Sequence, residues 1–310
     1  MTKHPRVLSG IIASFSVSAL LLTACASNSE NTSPPAAAGT SGGGGSASSA
    51  AVAKVDSIAA LVPDNIKSTG KLIVGVNVPY TPNEFKDSSG KIVGFDVDLM
   101  DAVATVLGLK AQYTEAEFDK IIPAIQANTY NVGMSSFTDN KEREKTVDFV
   151  TYFSAGIQWA SRTGGKTVDP NNACGLKVSV QATTTEDTDE IPAKSKACTD
   201  AGKPAINKLK FDRQDDATNA LVLGKVNAMS ADSPVTAYAV KQSSGKLQLA
   251  GGISESAPYG WPVAKGSALA QALQKAAQSL IDSGAYLNIA KKWGVEAGVI
   301  KTAQINGATS

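Results

Sequence analysis

The histidine and cysteine content of the chain excludes several kinds of catalytic and metal-binding chemistry. His4 is the only histidine in the 310 residues, and it lies in an N-terminal segment that we expect to be cleaved off. Without histidine, the rest of the chain has no Ser/His/Asp triad, no Cys/His pair and no histidine metal site. Any catalysis would therefore depend on carboxylates, lysines or hydroxyls.

Acidic residues and one arginine remain as candidates for chemistry. Glu115, Glu117 and Asp119 could act as general acid and base, but acids around a strand-to-helix connection are more often solvated or cap the helix. Arg143 lies in the charged run KEREK, residues 141–145. That setting indicates either an exposed charged turn or a ligand-binding arginine, and the residues alone leave both open.

Nucleotide-binding motifs are absent from the sequence. Gly164, Gly165, Lys166 and Thr167 resemble the end of a phosphate-binding loop, but Ala160 stands where that motif needs a glycine. No GxGxxG motif follows a predicted strand. We predict no cofactor and no metal.

The N-terminus has the features of a bacterial lipoprotein signal. Lys3 and Arg6 precede an apolar stretch, which ends in the lipobox Leu22-Thr23-Ala24-Cys25. We predict a signal peptide over residues 1–24, lipidation of Cys25, and a tether over residues 25–53, whose Ser, Ala, Gly and Pro content is typical of flexible chains. The alternative is an ordinary cleaved signal with an incidental cysteine. Either interpretation places the protein outside the cytoplasm, and the first places it on the outer face of the cell membrane.

The length and charge of the remaining chain fit a two-lobed protein with no polyanionic partner. Removal of residues 1–24 takes away two of the 29 basic residues, which leaves 27 against 28 acidic residues. A net charge near zero predicts no nucleic-acid binding. We assign lobe 1 to residues 54–160, lobe 2 to residues 161–258, and a return to lobe 1 to residues 259–310, in a chain that we expect to be monomeric.

Strand and helix patterns alternate twice along the chain, which is typical of an α/β protein with mainly parallel sheets. Strand ends in such sheets face a crevice where ligands bind, near helix N-termini. The first series predicts strands at 72–78, 109–113 and 131–135 and helices at 96–107 and 119–127; the second predicts strands at 177–181, 209–211 and 226–230, helices after 183, at 216–223 and at 233–241, and finally a strand at 259–263 and helices at 268–293.

Several residues have the types that begin or end helices. Asp96 and Ser233 are candidate N-caps, and Thr183 with Glu186 has the spacing of a capping box. Gly108 is a candidate helix stop.

Two cysteines remain once Cys25 is assigned to lipid. Cys174 and Cys198 form an even pair in an oxidising compartment, which favours a disulfide closing a loop of 24 residues. Paired metal ligands and free thiols are the alternatives.

The segment NVGMSSFTDNKEREKTVDF, residues 131–149, closely resembles the amino-acid-binding branch of the extracellular solute-binding proteins of ABC importers, family 3. Further segments match in order: GFDVDLM at 94–100, FDKIIPAIQ at 118–126, GKVNAMSADSPVTAYAV at 224–240, YGWPVAKGSALAQAL at 259–273 and KKWG at 291–294. The resemblance implies the type II periplasmic binding fold: two lobes, each a mixed and mainly parallel sheet flanked by helices, joined by two hinge strands.

The resemblance also implies a role for each site residue. Arg143, followed six residues later by Phe149 of a DF pair, would bind the ligand α-carboxylate through two parallel hydrogen bonds, and Asp232 would pair with the α-ammonium. The remaining implied ligand contacts are hydroxyl and amide donors at Ser136, Thr138, Gln181, Thr184 and Thr185, aromatic walls at Tyr80 and Phe118, and Asn77 beside the ligand side chain.

The resemblance implies a binding protein and not an enzyme. Its cleft would close on an amino acid, and the protein would deliver that amino acid to an ABC permease and its ATPase. The hinge would lie near residues 156–161 and 258–263. Some relatives that take basic or amide ligands have an aspartate at the position of Asn77, so the sequence favours a polar, uncharged or amide-bearing ligand. Two alternatives stay open: a ligand-sensing lipoprotein that partners a membrane receptor, and a lyase similar to cyclohexadienyl dehydratase.

Overall fold

The computed structural model describes residues 52–309, which form two α/β lobes. The predicted lipidation site Cys25 and nearly all of the predicted tether lie outside these residues. Up to the first long strand, the elements are α1 (Asp56–Ala59), α2 (Asp64–Lys67), β1 (Lys71–Val76), β2 (Phe85–Lys86), β3 (Ile92–Val93), α3 (Phe95–Val106), β4 (Lys110–Glu115), α4 (Phe118–Gln126), β5 (Val132–Met134), α5 (Lys141–Glu144) and β6 (Val147–Arg162).

The second half of the chain supplies the second sheet and the C-terminal helices. Its elements are β7 (Lys177–Gln181), a π-helical turn (Glu186–Glu190), α6 (Ile191–Asp200), β8 (Asn207–Phe211), α7 (Gln214–Val222), β9 (Ala228–Asp232), α8 (Ser233–Gln242), β10 (Leu247–Ala264), α9 (Leu269–Asp282), α10 (Ala285–Trp293) and a 3₁₀ turn (Glu296–Gly298).

Lobe 1 is built on a parallel sheet in the order β4-β1-β5. The central strand is apolar on both faces, and Leu72, Val74 and Val76 are fully buried in it. α3 packs its predicted apolar face against this sheet and ends at Gly108, whose φ of 68° is left-handed. The predicted strand-helix alternation of this half is confirmed.

Lobe 2 contains a five-stranded mixed sheet in the order β10-β6-β9-β7-β8. β7 is parallel to β8 and β9, whereas β6 runs antiparallel to β9. The predicted disulfide between Cys174 and Cys198 is confirmed, with Cα atoms 5.5 Å apart. It ties the segment before β7 to α6.

Two long strands connect the lobes. β6 and β10 pair antiparallel along most of their length, whereas the sequence indicated only short extended pieces there. Up to Ala155, β6 packs in the core of lobe 1, and from Ile157 it pairs with β9 and packs in lobe 2. The β10 register is irregular between Ala250 and Ala257, opposite this change of core. This irregularity adjoins the hinge positions that the resemblance implies, residues 156–161 and 258–263, which stay a prediction.

Three helix-start predictions are wrong. Asp96 does not cap α3: the helix starts at Phe95 after Gly94, and the Asp96 side chain is buried. Thr183 and Glu186 form no capping box, because Thr183 is left-handed and its N–H donates to Asp187 Oδ2 at 2.9 Å. Ser233 is the first residue of α8, and Asp232 holds the N-cap position.

No helix within residues 52–309 combines the length and the apolar character that a bilayer-spanning segment needs.

Candidate functional site

The carboxyl ends of the strands in both lobes meet at one cleft. β1, β4 and β5 lead into Asn77, Phe118 and Ser136, and β7 and β9 end at Gln181 and Asp232. The space inside it that the centre of a water molecule can occupy is about 10 Å³. All ten residues implied by the resemblance line it, together with Ser135 and Glu186.

Arg143 projects into the cleft from the short helix α5. Asn140 caps this helix by accepting a hydrogen bond from the Arg143 backbone N–H at 2.9 Å. The guanidinium donates to Thr138 O at 2.8 Å and to Thr183 O at 3.1 Å. Since a guanidinium has five N–H donors, three remain for a ligand. Burial lowers the pKa of Arg143 from its usual value, and the nearby carboxylates of Glu186 and Asp232 oppose that shift.

Two stacked aromatic rings pack against the Arg143 guanidinium. Phe118 and Phe137 stack with ring centroids 4.3 Å apart. The Arg143 guanidinium carbon lies 5.7 Å from the Phe118 centroid and 5.5 Å from that of Phe137. These cation–π contacts restrict the guanidinium plane before any ligand arrives.

The segment from Ser135 to Asp139 follows β5 and is fixed by hydrogen bonds to other parts of lobe 1. Ser136 has a left-handed φ of 51°, and its hydroxyl accepts from Asn83 Nδ2 at 2.8 Å. The Gly260 N–H donates to Phe137 O, and the Asp139 N–H donates to Pro258 O, both at 2.9 Å. These two bonds hold the chain around Thr138 against β10. Backbone and hydroxyl donors therefore sit on a rigid support beside Arg143.

Lobe 2 presents the start of a helix to the same cleft. The segment after Gln181 includes Thr184, whose hydroxyl donates to Gln181 O at 2.9 Å, and Thr185 at the helix N-terminus. The unpaired N–H groups at a helix N-terminus favour a negatively charged ligand group.

Asp232 lies at the end of β9 and faces Tyr80 across the cleft. The Tyr80 hydroxyl donates to Asp232 Oδ2 at 2.6 Å. Burial raises the pKa of Asp232 to about 6, although Tyr80 and Arg143 favour its charged form. A buried carboxylate of this kind is stabilised by a cation that enters the cleft.

Hydrogen bonds join the two lobes directly, so the cleft is closed. Besides the Tyr80–Asp232 bond, Gln181 Nε2 donates to Asn77 Oδ1 at 2.9 Å and Arg143 donates to Thr183 O. Each bond links a lobe-1 residue with a lobe-2 residue.

Glu186 is a cleft residue that the sequence analysis missed. Its side chain is 1% exposed, and its Oε1 has no hydrogen-bond partner among the described residues. Burial and the charge of Asp232 raise its pKa well above the usual value. Its spacing from Thr183 predicted a capping box. In the structure Thr183 has left-handed backbone, and the Glu186 side chain lines the cleft.

The arrangement can hold both charged groups of a zwitterion. A cation and a helix N-terminus can hold a carboxylate, while Asp232 can hold an ammonium group. Among residues 52–309, no group of three or more His, Cys, Asp or Glu side chains is placed to hold a metal ion.

Known proteins similar to this chain bind amino acids. The family model of bacterial extracellular solute-binding proteins, family 3, matches residues 72–296. The arginine-binding protein ArgT of Corynebacterium glutamicum is 43% identical over 253 residues, 81% of this chain and 83% of the relative. The glutamine-binding protein GlnH of an ABC transporter in Bacillus subtilis is 32% identical over 249 residues, 78% of this chain and 85% of the relative.

A solved structure agrees with these relatives. An ancestral arginine-binding protein bound to arginine superposes with a TM-score of 0.66 at 35% identity, covering 72% of this chain and 98% of that one.

Proposed function

The chain belongs to family 3 of the bacterial extracellular solute-binding proteins, and from this premise we propose that its cleft captures a basic amino acid, arginine above all. The predicted role as the amino-acid-binding component of an ABC transporter is confirmed, as is the two-lobed type II periplasmic binding fold. The proposal concerns which amino acid binds and which residues hold it.

The two poles of an amino-acid zwitterion match two charged residues on opposite lobes. Arg143 and the helix N-terminus at Thr185 would bind the α-carboxylate, and Asp232 would bind the α-ammonium group. Ser136 and Thr138 would add donors to the carboxylate. Because these contacts come from both lobes, the ligand would favour the closed state.

Glu186 is the observation that carries the choice of a basic ligand. The basic and acidic side chains that line the cleft in the described residues are Arg143, Asp232 and Glu186. A zwitterion would pair with the first two and leave the third. A guanidinium or ammonium on the ligand side chain would pair with Glu186, whose Oε1 lacks a partner among residues 52–309. An uncharged ligand, which Asn77 favoured on sequence, would leave this buried oxygen without a partner at a cost of about 1–3 kcal/mol.

Because the pKa of Glu186 is raised, the affinity for a basic ligand would depend on pH. Burial favours the neutral acid while the cleft lacks a cation. A ligand cation would lower that pKa, so binding would release a proton. Arginine affinity would therefore rise with pH across the titration of Glu186, whereas the affinity of an uncharged analogue would not.

Transport further requires partners and a location that we also infer. We expect a monomer, attached by lipid on Cys25 to the outer face of the membrane, that presents its closed form to a permease and its ATPase. The extracellular family supports the location outside the cytoplasm. The lipobox and the match to transporter-binding relatives support the rest.

A thermal-shift screen of the purified protein, unfolded and refolded to remove carried-over ligand, tests the proposal. Arginine at a hundred times its Kd adds about 2.7 kcal/mol of stability. We expect the largest shift with arginine, a smaller one with lysine, and little with glutamine or glutamate. A larger shift with glutamine would contradict the basic-ligand proposal and restore the amide-bearing alternative. Turnover of prephenate or arogenate without a shift by any amino acid would favour the lyase.

A further inference from the structure

Two buried carboxyl groups lie directly behind the carboxylate-binding side of the cleft. Glu84 precedes β2, and Asp96 is in the first turn of α3. Both are 0% exposed. Among the described residues, neither forms an ion pair with lysine or arginine. Two buried, uncompensated carboxylates side by side would be strongly unfavourable.

The two carboxyls of this pair have more acceptor oxygens than the surrounding groups have donors. Asp96 Oδ2 accepts from Tyr152 Oη at 2.6 Å and from Ser136 Oγ at 3.3 Å. Within residues 52–309, Asp96 Oδ1 and both oxygens of Glu84 accept no hydrogen bond, although the two carboxyls are within hydrogen-bonding reach of each other. Ser135 Oγ is also near Glu84, but it donates to Asn77 O at 3.1 Å.

We propose that Glu84 and Asp96 share a single proton, and that this carboxylic acid–carboxylate pair positions the residues that bind the ligand carboxylate. Glu84 carries the proton and donates it to Asp96 Oδ1. One proton supplies the missing donor and removes one of the two buried charges. Asp96 then remains an anion with three donors: Glu84, Tyr152 and Ser136.

The hydrogen bonds assign the proton to Glu84, because Asp96 Oδ2 already accepts from Tyr152 and Ser136, whereas neither oxygen of Glu84 has a donor among the described residues. Burial raises the pKa of both carboxyls, and the charge of Asp96 adds to the effect on Glu84. The pKa of Asp96 reaches only about 6, because Tyr152, Glu84 and Ser136 stabilise its charged form. The other titratable groups near the pair are Tyr80 and Asp232 from the cleft, Tyr152 from β6, Tyr113 from β4 and Tyr286 from α10. None of them is a cation that could replace the proton.

The pair connects to the cleft by two short routes. Asp96 accepts from Ser136, which has left-handed backbone and also accepts from Asn83. Glu84 O accepts from Tyr80 N at 2.7 Å, which fixes the loop carrying the Tyr80 hydroxyl. Glu84 and Asp96 therefore act as positioning residues that do not contact the ligand. This link to affinity rests on the proposed function, whereas the shared proton does not.

Infrared difference spectroscopy of the ligand-free protein at pH 7 tests the proton directly. Subtracting the spectrum of the Glu84→Gln variant from that of the wild type should leave the carbonyl band of a protonated carboxylic acid. The matched control is Asp148→Asn. Asp148 is also buried, but its pKa is lowered and Lys265 Nζ lies 2.8 Å away, so its difference spectrum should show only a carboxylate. A carboxylate difference for Glu84 would overturn the proposal.

Affinity measurements then separate positioning from simple packing. Glu84→Gln keeps a donor toward Asp96, and we expect it to retain arginine affinity within about threefold, whereas Glu84→Met, which has no donor, should lose at least about tenfold. Equal affinities of the two variants would contradict the positioning role. If the Met variant does not fold, retained affinity in the Gln variant supports the role and a tenfold loss in it refutes the role. If the wild type binds no arginine, the proposed function fails while the infrared result still decides the shared proton.

Discussion

Replacement of Arg143 by alanine should abolish ligand binding and leave the fold intact. The side chain is not part of an apolar core, and its contacts are two backbone carbonyls and the stacked pair Phe118 and Phe137. Its removal leaves the ligand carboxylate in a closed cleft without its cation. Loss of one partner from a buried ion pair costs about 3–5 kcal/mol. At about 1.4 kcal/mol per tenfold, the affinity should fall by roughly 10² to 10⁴.

The lysine variant separates charge from geometry. Arg143→Lys keeps a cation but loses the planar fork and cannot satisfy both Thr138 O and Thr183 O while binding a carboxylate with two hydrogen bonds. We expect about 1.5–3 kcal/mol of lost binding, between wild type and the alanine variant. The loss of unfolding free energy in either variant should stay within about 2 kcal/mol, since only two hydrogen bonds and a partly exposed cation–π contact are removed.

Isothermal titration calorimetry with arginine and thermal unfolding of the ligand-free variants are the two assays. An alanine variant that is folded but binds arginine within fivefold of the wild type would refute the assignment of the carboxylate contact. A variant that unfolds would instead show that the side chain is structural.

Further predictions follow from the other cleft residues and the disulfide. Glu186→Gln should weaken arginine binding by about 1–3 kcal/mol and citrulline binding far less, with the exposed Asp189→Asn as the control; equal losses for both ligands would exclude a contact with the side-chain cation. Acidification through about pH 6 should weaken binding, because protonated Asp232 no longer pairs with the α-ammonium; an affinity that is flat between pH 8 and pH 5 in calorimetry would contradict this. Replacement of Cys174 and Cys198 by alanine, which opens a loop of 24-residue separation, should lower the unfolding free energy in urea by about 3.5 kcal/mol, and a loss below 1 kcal/mol would contradict the loop-entropy argument.

The sequence alone predicted those helices and strands whose buried residues follow a regular spacing within the element. The run at residues 72–78 is apolar except for Asn77, and most of it forms the central strand β1. The helical face of α3 and the stop at Gly108 were equally readable. The set of cleft residues came from the resemblance of several segments in order, and the structure gathers all of them around one cleft.

The parts that the sequence missed depend on contacts distant in the chain. β6 and β10 are long because each pairs with the other, and neither segment shows this by its own pattern. Asp96 and Glu186 have the residue type and position of helix caps, but tertiary packing turns both side chains inward. An acidic residue near the start of a helix can either cap the helix or be buried, and only the packed structure distinguishes the two.

The affinities of the refolded wild-type protein for arginine and citrulline, measured by calorimetry, test the central claim most directly. The two ligands share the zwitterion and nearly the same shape, and citrulline lacks the side-chain charge. Glu186 Oε1 is buried and has no partner in the part of the chain that the structure describes. We therefore expect arginine to bind more tightly by about 1–3 kcal/mol, or roughly 5- to 150-fold, with proton release on binding. Equal affinities, or tighter binding of citrulline without proton release, would contradict recognition of a basic amino acid in this cleft.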